Sequence, residues 1–177
     1  MAKDTLSLTA LKQYLKDCPQ EELVKDIIEL CKRFQPVKDY YQLKLNPEDE
    51  THVIAKYKQT IEHEFFPARG YGKARLSVAK KAVSEYKKVC RNPANLADIM
   101  LFYVEQGVKF TKAYGDIDEP FYNSMESMYD AAIKWVTKNE LQDVFQKRFQ
   151  KIVGDTSSMG WGFHDVLSEI YEEVYDS

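Results

Sequence analysis

Three cysteines, three histidines, two tryptophans and seven glycines are spread over 177 residues, and each scarcity removes a class of explanation. Cys18, Cys31 and Cys90 are odd in number and far apart, with no Cys-x-x-Cys pair, so neither a disulfide framework nor a thiol redox motif is written here. Cys31 and Cys90 fall on apolar helical faces, where a reduced thiol acts as a small hydrophobe. His52, His63 and His164 do not stand at ligand spacing from the cysteines, which argues against structural zinc; no metal and no cofactor are expected. Long apolar runs are missing too. The best, Ile99 to Val104, holds six residues between Asp98 and Glu105, far short of a membrane-spanning helix. The first residues, Lys3 and Asp4 and then apolar residues broken by Ser7, Thr9 and Lys12, do not form a secretory apolar region, so a cytoplasmic setting away from membranes is expected. A hydrophobic share of 44% with 30% charged residues excludes disorder, and the length suits one domain, residues 1–177, with a substantial core.

What is present is helical punctuation. The six prolines stand at the edges of elements and the glycines lie between them, Gly107 excepted. A short helix from about Thr9 to Lys16 turns Ala10, Leu11, Tyr14 and Leu15 inward. Pro19, Glu21 and Glu22 open a second, with Leu23, Val24, Ile27, Ile28, Leu30, Cys31 and Phe34 as core positions, and Pro36 ends or kinks it. Residues Val37 to Leu45 fit strand alternation and helix spacing alike and are read as helix. Asn46-Pro47 caps and starts a helix to Phe66. A long apolar helix from Leu96 to about Tyr114 is the expected centre, followed by helices from Pro120 to Lys138 and from Leu141 to Val153, the latter with Val144, Phe145, Phe149 and Ile152 inward. A last helix holds Val166, Leu167, Ile170, Tyr171 and Val174. The fold class is all-α: about seven or eight helices in a bundle or in stacked antiparallel pairs of an α-α superhelix type.

Charge is concentrated in one place. From Arg69 to Arg91 stand eight basic residues and a single acid, Glu85, a local charge of +7 against about −10 for the rest of a chain whose net is −3. Leu76, Ala79, Val83, Tyr86 and Cys90 recur at three and four, so one side of this helix is buried and the other carries the lysines. The preceding loop, Phe66 to Arg75, sets Tyr71 between Gly70 and Gly72 and beside Arg69, Lys73 and Arg75. Free N–H groups at a helix start suit an anion, although the spacing is not that of a phosphate loop. Tyr71 is also the clear aromatic in a basic cluster, the pairing used to bind single-stranded nucleic acid. A sequence pI near 5.7 argues against a dedicated nucleic-acid binder.

Other groupings carry less chemistry. His164 beside Asp165, with Trp161 nearby in a glycine-rich loop, has the residue types of an acid-base pair, but adjacent residues at a helix start diverge. Asp165 is expected to cap the helix and His164 to be half-buried. Glu62-His63-Glu64 diverge on a helix in the same way. Asp116, Asp118 and Glu119 lack the closing glutamate of a calcium loop and read as a helix cap.

The motifs Leu8-x-x-Leu11-Lys12-x-Tyr14-Leu15, Phe65-Phe66-Pro67-x-Arg69-Gly70-x-Gly72-Lys73-Ala74-Arg75, Glu119-Pro120-Phe121-Tyr122-Asn123-Ser124-Met125 and Gly160-Trp161-Gly162-Phe163-His164-Asp165 together give the chain its character. Over most of its length it resembles a bacterial domain family of unknown function. The resemblance implies a bacterial, cytoplasmic setting and supplies no activity. The expected function is a non-enzymatic helical module that contacts another protein. Two alternatives stand beside it: an anion or nucleic-acid contact through the basic element 69–91, and a hydrolase or metal enzyme using His164 and Asp165. The residues singled out for binding are Arg69, Tyr71, Lys73, Arg75, Trp161 and His164.

Overall fold

The structure, a computed structural model, describes residues 6–176; Lys3 and Asp4, read above against a secretory segment, lie outside the described residues. Among the described residues the chain forms nine α-helices and no strand: α1 (Leu8–Asp17), α2 (Gln20–Arg33), α3 (Gln35–Leu45), α4 (Glu50–Phe65), α5 (Leu76–Val89), α6 (Pro93–Tyr114), α7 (Glu119–Lys138), α8 (Gln142–Asp155) and α9 (Phe163–Tyr175). The count exceeds the expected seven or eight; α3, the segment that fitted strand and helix alike and was read as helix, is a helix of its own with Pro36 in its first turn and Pro47 past its end.

Starts follow local chemistry. The Asn92 side chain accepts from Ala94 N at 2.9 Å with Pro93 beside it, and Asp118 accepts from Phe121 N at 2.9 Å ahead of Pro120. Two expected caps are absent. Asn46 makes no side-chain cap, since a 3₁₀ turn, Pro47–Asp49, intervenes before α4; Gly162 takes the position before α9, leaving Asp165 in the first turn.

The long apolar helix is the centre: α6 packs against α4, α5, α7 and α8. Its crossing with α7 explains Gly107, the one glycine within α6; Gly154, expected between elements, stands in the last turn of α8. A Cβ on Gly107 would lie 2.1 Å from the Met125 sulfur of α7, so the hydrogen there makes the room that the Met125 side chain fills. Around that crossing Phe65 sits edge-on to Tyr103, Phe110 and Phe121. The core runs from Leu43 of α3 to Tyr171 of α9 as one cluster.

The N-terminal pair departs from expectation. No residue of α1 or α2 is buried. Val24 is 49% exposed, Ile28 50% and Phe34 53%, and Tyr14, Leu15, Ile27 and Leu30 are exposed as well. The amphipathic period was read correctly, but it reports only that a helix has an apolar side; α2 packs chiefly on α3, and the described residues leave that side open. Val144, expected inward, is also exposed, because α8 turns Phe145, Phe149 and Ile152 to the core instead.

Candidate functional site

The loop between α4 and α5 is tightly constrained. A Cβ on Gly72 would fall 1.8 Å from the Phe65 carbonyl oxygen, so the chain passes directly over the end of α4 at a point only glycine allows. Gly70 has φ +77° and Ala74 φ +44°, the latter a left-handed conformation costly to a residue with a Cβ; Ala74 N donates to the Glu64 carbonyl at 2.8 Å. Arg75 closes the loop by donating Nε and Nη2 to the two carboxylate oxygens of Glu64 at 2.8 and 2.7 Å. Glu64 is only 4% exposed, and hydrogen bonding from Arg75 holds its carboxyl below the usual range.

Beneath this loop lies a cleft of about 180 Å³ lined by His63, Glu64, Pro67, Arg69, Tyr71, Lys73 and Arg75. Four of the six predicted binding residues therefore meet at one place. Tyr71 is 84% exposed and sets its ring edge-on to Tyr114, 6.3 Å between centroids. The positive ridge is partly compensated. Arg75 is bound to Glu64, Lys81 is 3.6 Å from Glu85, Arg91 donates to the Leu43 carbonyl, and Lys87 lies over the Trp135 ring. Among the described residues Arg69, Lys73, Lys80 and Lys88 make no ion pair.

Trp161 and His164 are elsewhere. His164 Nδ1 lies 3.1 Å from the Val153 carbonyl and 3.1 Å from the Thr156 hydroxyl. A carbonyl only accepts, so Nδ1 carries the hydrogen and the ring ties α9 to the end of α8. Asp165 is exposed and is not the partner of the imidazole. Trp161 is 60% exposed at φ +63°, next to Gly162 at φ +69°. Both loops abut the connection after α6, the first through Tyr114 and the second through Gly160 N, which donates to Asp116. The cleft under the basic loop is nevertheless lined by no residue of 154–165. Among the described residues no three His, Cys, Asp or Glu side chains gather at distances that would hold a metal ion.

A family model covers residues 6–175, that of the family of unknown function DUF6155. The chain belongs to this family. No match to a curated protein or to a solved structure was found.

Sequence reasoning missed a buried acid in this family member. Asp39 of α3 is 1% exposed; it accepts from Gln35 Nε2 at 2.7 Å and from the Tyr57 hydroxyl at 2.9 Å, with Lys56 Nζ 3.6 Å away. Burial and the bond to Asp39 push the Tyr57 hydroxyl pKa upward, so the phenol keeps its proton and remains a donor. The group forms the floor of a cavity of about 290 Å³ between α3, α4 and α5. Gln35 stands one turn before Asp39 on α3, but no spacing signal marks the bond to Tyr57, 18 residues away on another helix.

Proposed function

We propose that this protein is a helical interaction module that binds a second copy of itself through α2. The observation that carries the reading is the open apolar side of that helix, on which Val24, Ile27, Ile28 and Leu30, with Phe34 just past its end, are between about one third and just over one half exposed. Removing the rest of each side chain from water contributes about 1 kcal/mol, so the strip supplies several kcal/mol per copy. A large exposed strip of this kind marks a contact surface.

Charge favours a copy of the same chain. Glu21 and Glu22 stand in the first turn of α2 and Lys32 and Arg33 in the last, with Lys38 beyond. Two such helices packed antiparallel about a two-fold axis set the acidic end of each against the basic end of the other, which is the self-complementarity a two-fold contact requires. A groove of about 570 Å³ with Ile28 and Cys31 on one side and Lys32, Arg33 and Lys38 on its rim lies where the partner's Glu21 and Glu22 would arrive. We read α1 to α9 as one domain in a cytoplasmic setting, since α3 to α9 share a core and α2 is anchored to it through α3.

Sedimentation of the full chain at rising concentration tests this. The expected mass is twice the 20.7 kDa of one chain, and Ile28→Glu, at a half-exposed position that costs the fold little, should sediment as a monomer. A wild-type chain that remains monomeric at the highest soluble concentration, or an Ile28→Glu variant that still dimerises, would overturn the proposal.

A further inference from the structure

We infer that the cleft under the loop from Phe66 to Arg75 binds a phosphate monoester carried on a planar base, the chemistry shared by a free nucleotide and the end of a single nucleic-acid strand. Three basic side chains, His63, Arg69 and Lys73, line a space of about 180 Å³. That volume suits a phosphate group and not a whole nucleotide. Arg69 and Lys73 have no ion-pair partner among the described residues, so their donors are available.

The one acid lining the cleft does not oppose an anion. Both oxygens of Glu64 are engaged by Arg75, which keeps its Nη1 group as a further donor. Gly72, pressed against the Phe65 carbonyl, and Ala74, held at a positive φ, constrain the backbone that carries Arg69 and Lys73, so both exposed side chains start from constrained points at the cleft. Tyr71 supplies the second half of the recognition. Its ring is 84% exposed at the rim and braced edge-on by Tyr114, which leaves a face open for a planar group to stack.

The balance of charge favours a short ligand. Outside 69–91 the chain carries about −10, which repels a long polyanion from the body while leaving the cleft positive. The site draws on residues separate from α2 and does not depend on self-association.

Calorimetric titration of the full chain at low salt with adenosine 5′-monophosphate, inorganic phosphate, adenosine, and a short single-stranded oligonucleotide with and without a 5′-phosphate is the test. Adenosine monophosphate should bind more tightly than phosphate, which lacks the base, and than adenosine, which lacks the charge. Arg69→Ala/Lys73→Ala should weaken it about tenfold or more, and Tyr71→Ala should weaken the nucleotide while leaving inorganic phosphate unchanged. Both changes lie at exposed side chains, and circular dichroism confirms the fold. Binding retained in Ile28→Glu separates this site from the α2 contact. Tighter binding of the 5′-phosphorylated oligonucleotide than of the mononucleotide assigns the site to a strand end, and the reverse order to a free nucleotide. No binding of any probe, equal binding of adenosine and its monophosphate, two oligonucleotides that bind equally and no more weakly than the mononucleotide, or an unchanged Arg69→Ala/Lys73→Ala variant would overturn the inference.

Discussion

Replacing Arg75 by alanine removes both donors from a carboxylate that is 4% exposed. Breaking a buried ion pair from one side costs about 3–5 kcal/mol when the remaining charge is sealed from water. The Arg75 side chain is 55% exposed and the cleft admits solvent, so screening reduces the expectation to about 2 kcal/mol. For a chain of this length that corresponds to a fall in Tm of roughly 4–8 °C. In the wild type the Glu64 pKa is lowered, so its contribution is present above the unfolded-state pKa and is lost as pH falls through the folded one. In the variant the lowering by the Arg75 side chain is gone and burial, which raises the pKa, is opposed only by the backbone at that position and by His63, so the deficit is largest at neutral pH and shrinks as the carboxyl takes up a proton. Thermal melts of both proteins at neutral pH and near pH 4 read this directly, and adding Glu64→Gln to Arg75→Ala should restore most of the loss. A deficit below about 0.5 kcal/mol at neutral pH, within the range of ordinary surface changes, or one that is independent of pH, would refute the reasoning.

Further expectations concern the body of the fold. Gly107→Ala sets a methyl against the Met125 sulfur; overpacking of about 1–3 kcal/mol outweighs the roughly 1 kcal/mol gained in helix propensity, and denaturant melts should show net destabilisation. Arg148→Met leaves Glu105 without its guanidinium partner, while Asp98 keeps Lys58, and should cost about 2–4 kcal/mol in denaturant melts. His164→Ala loses the tie to α8 and should cost about 1 kcal/mol in thermal melts while leaving adenosine monophosphate binding unchanged. The wild-type Tm should rise with protein concentration, and that of Ile28→Glu should not.

Legibility in the sequence followed the kind of contact. Helix interiors from α4 onward were readable because Val53, Tyr57, Ile61 and Phe65, or Phe121, Met125, Tyr129 and Ala132, repeat at the helical period and a core is there to receive them. The same period in Val24, Ile27, Cys31 and Phe34 led to a wrong burial assignment, since period says nothing about what covers a face. The loop carrying Arg69, Tyr71 and Lys73 was visible through its glycines and charge. The neutralisation of Arg75 was not, because Glu64 stands 11 residues earlier on α4 and meets it only once the loop has folded back. Asp39 was hidden for the same reason: pairing between helices leaves no local trace.

The two tryptophans occupy unlike surroundings. Trp135 donates its indole N–H to the Pro93 carbonyl at the start of α6 and has Lys87 above its ring, whereas Trp161 stands in solvent near the far end of the same helix. With 22 residues α6 is about 33 Å long, so the native chain contains two optical probes separated by most of its span. Iodide should quench emission from the exposed Trp161 more strongly than from the half-buried Trp135. A Trp161→Phe protein would then report the α5–α6–α7 seam alone, and a Trp135→Phe protein the glycine loop before α9, with no dye attached to either.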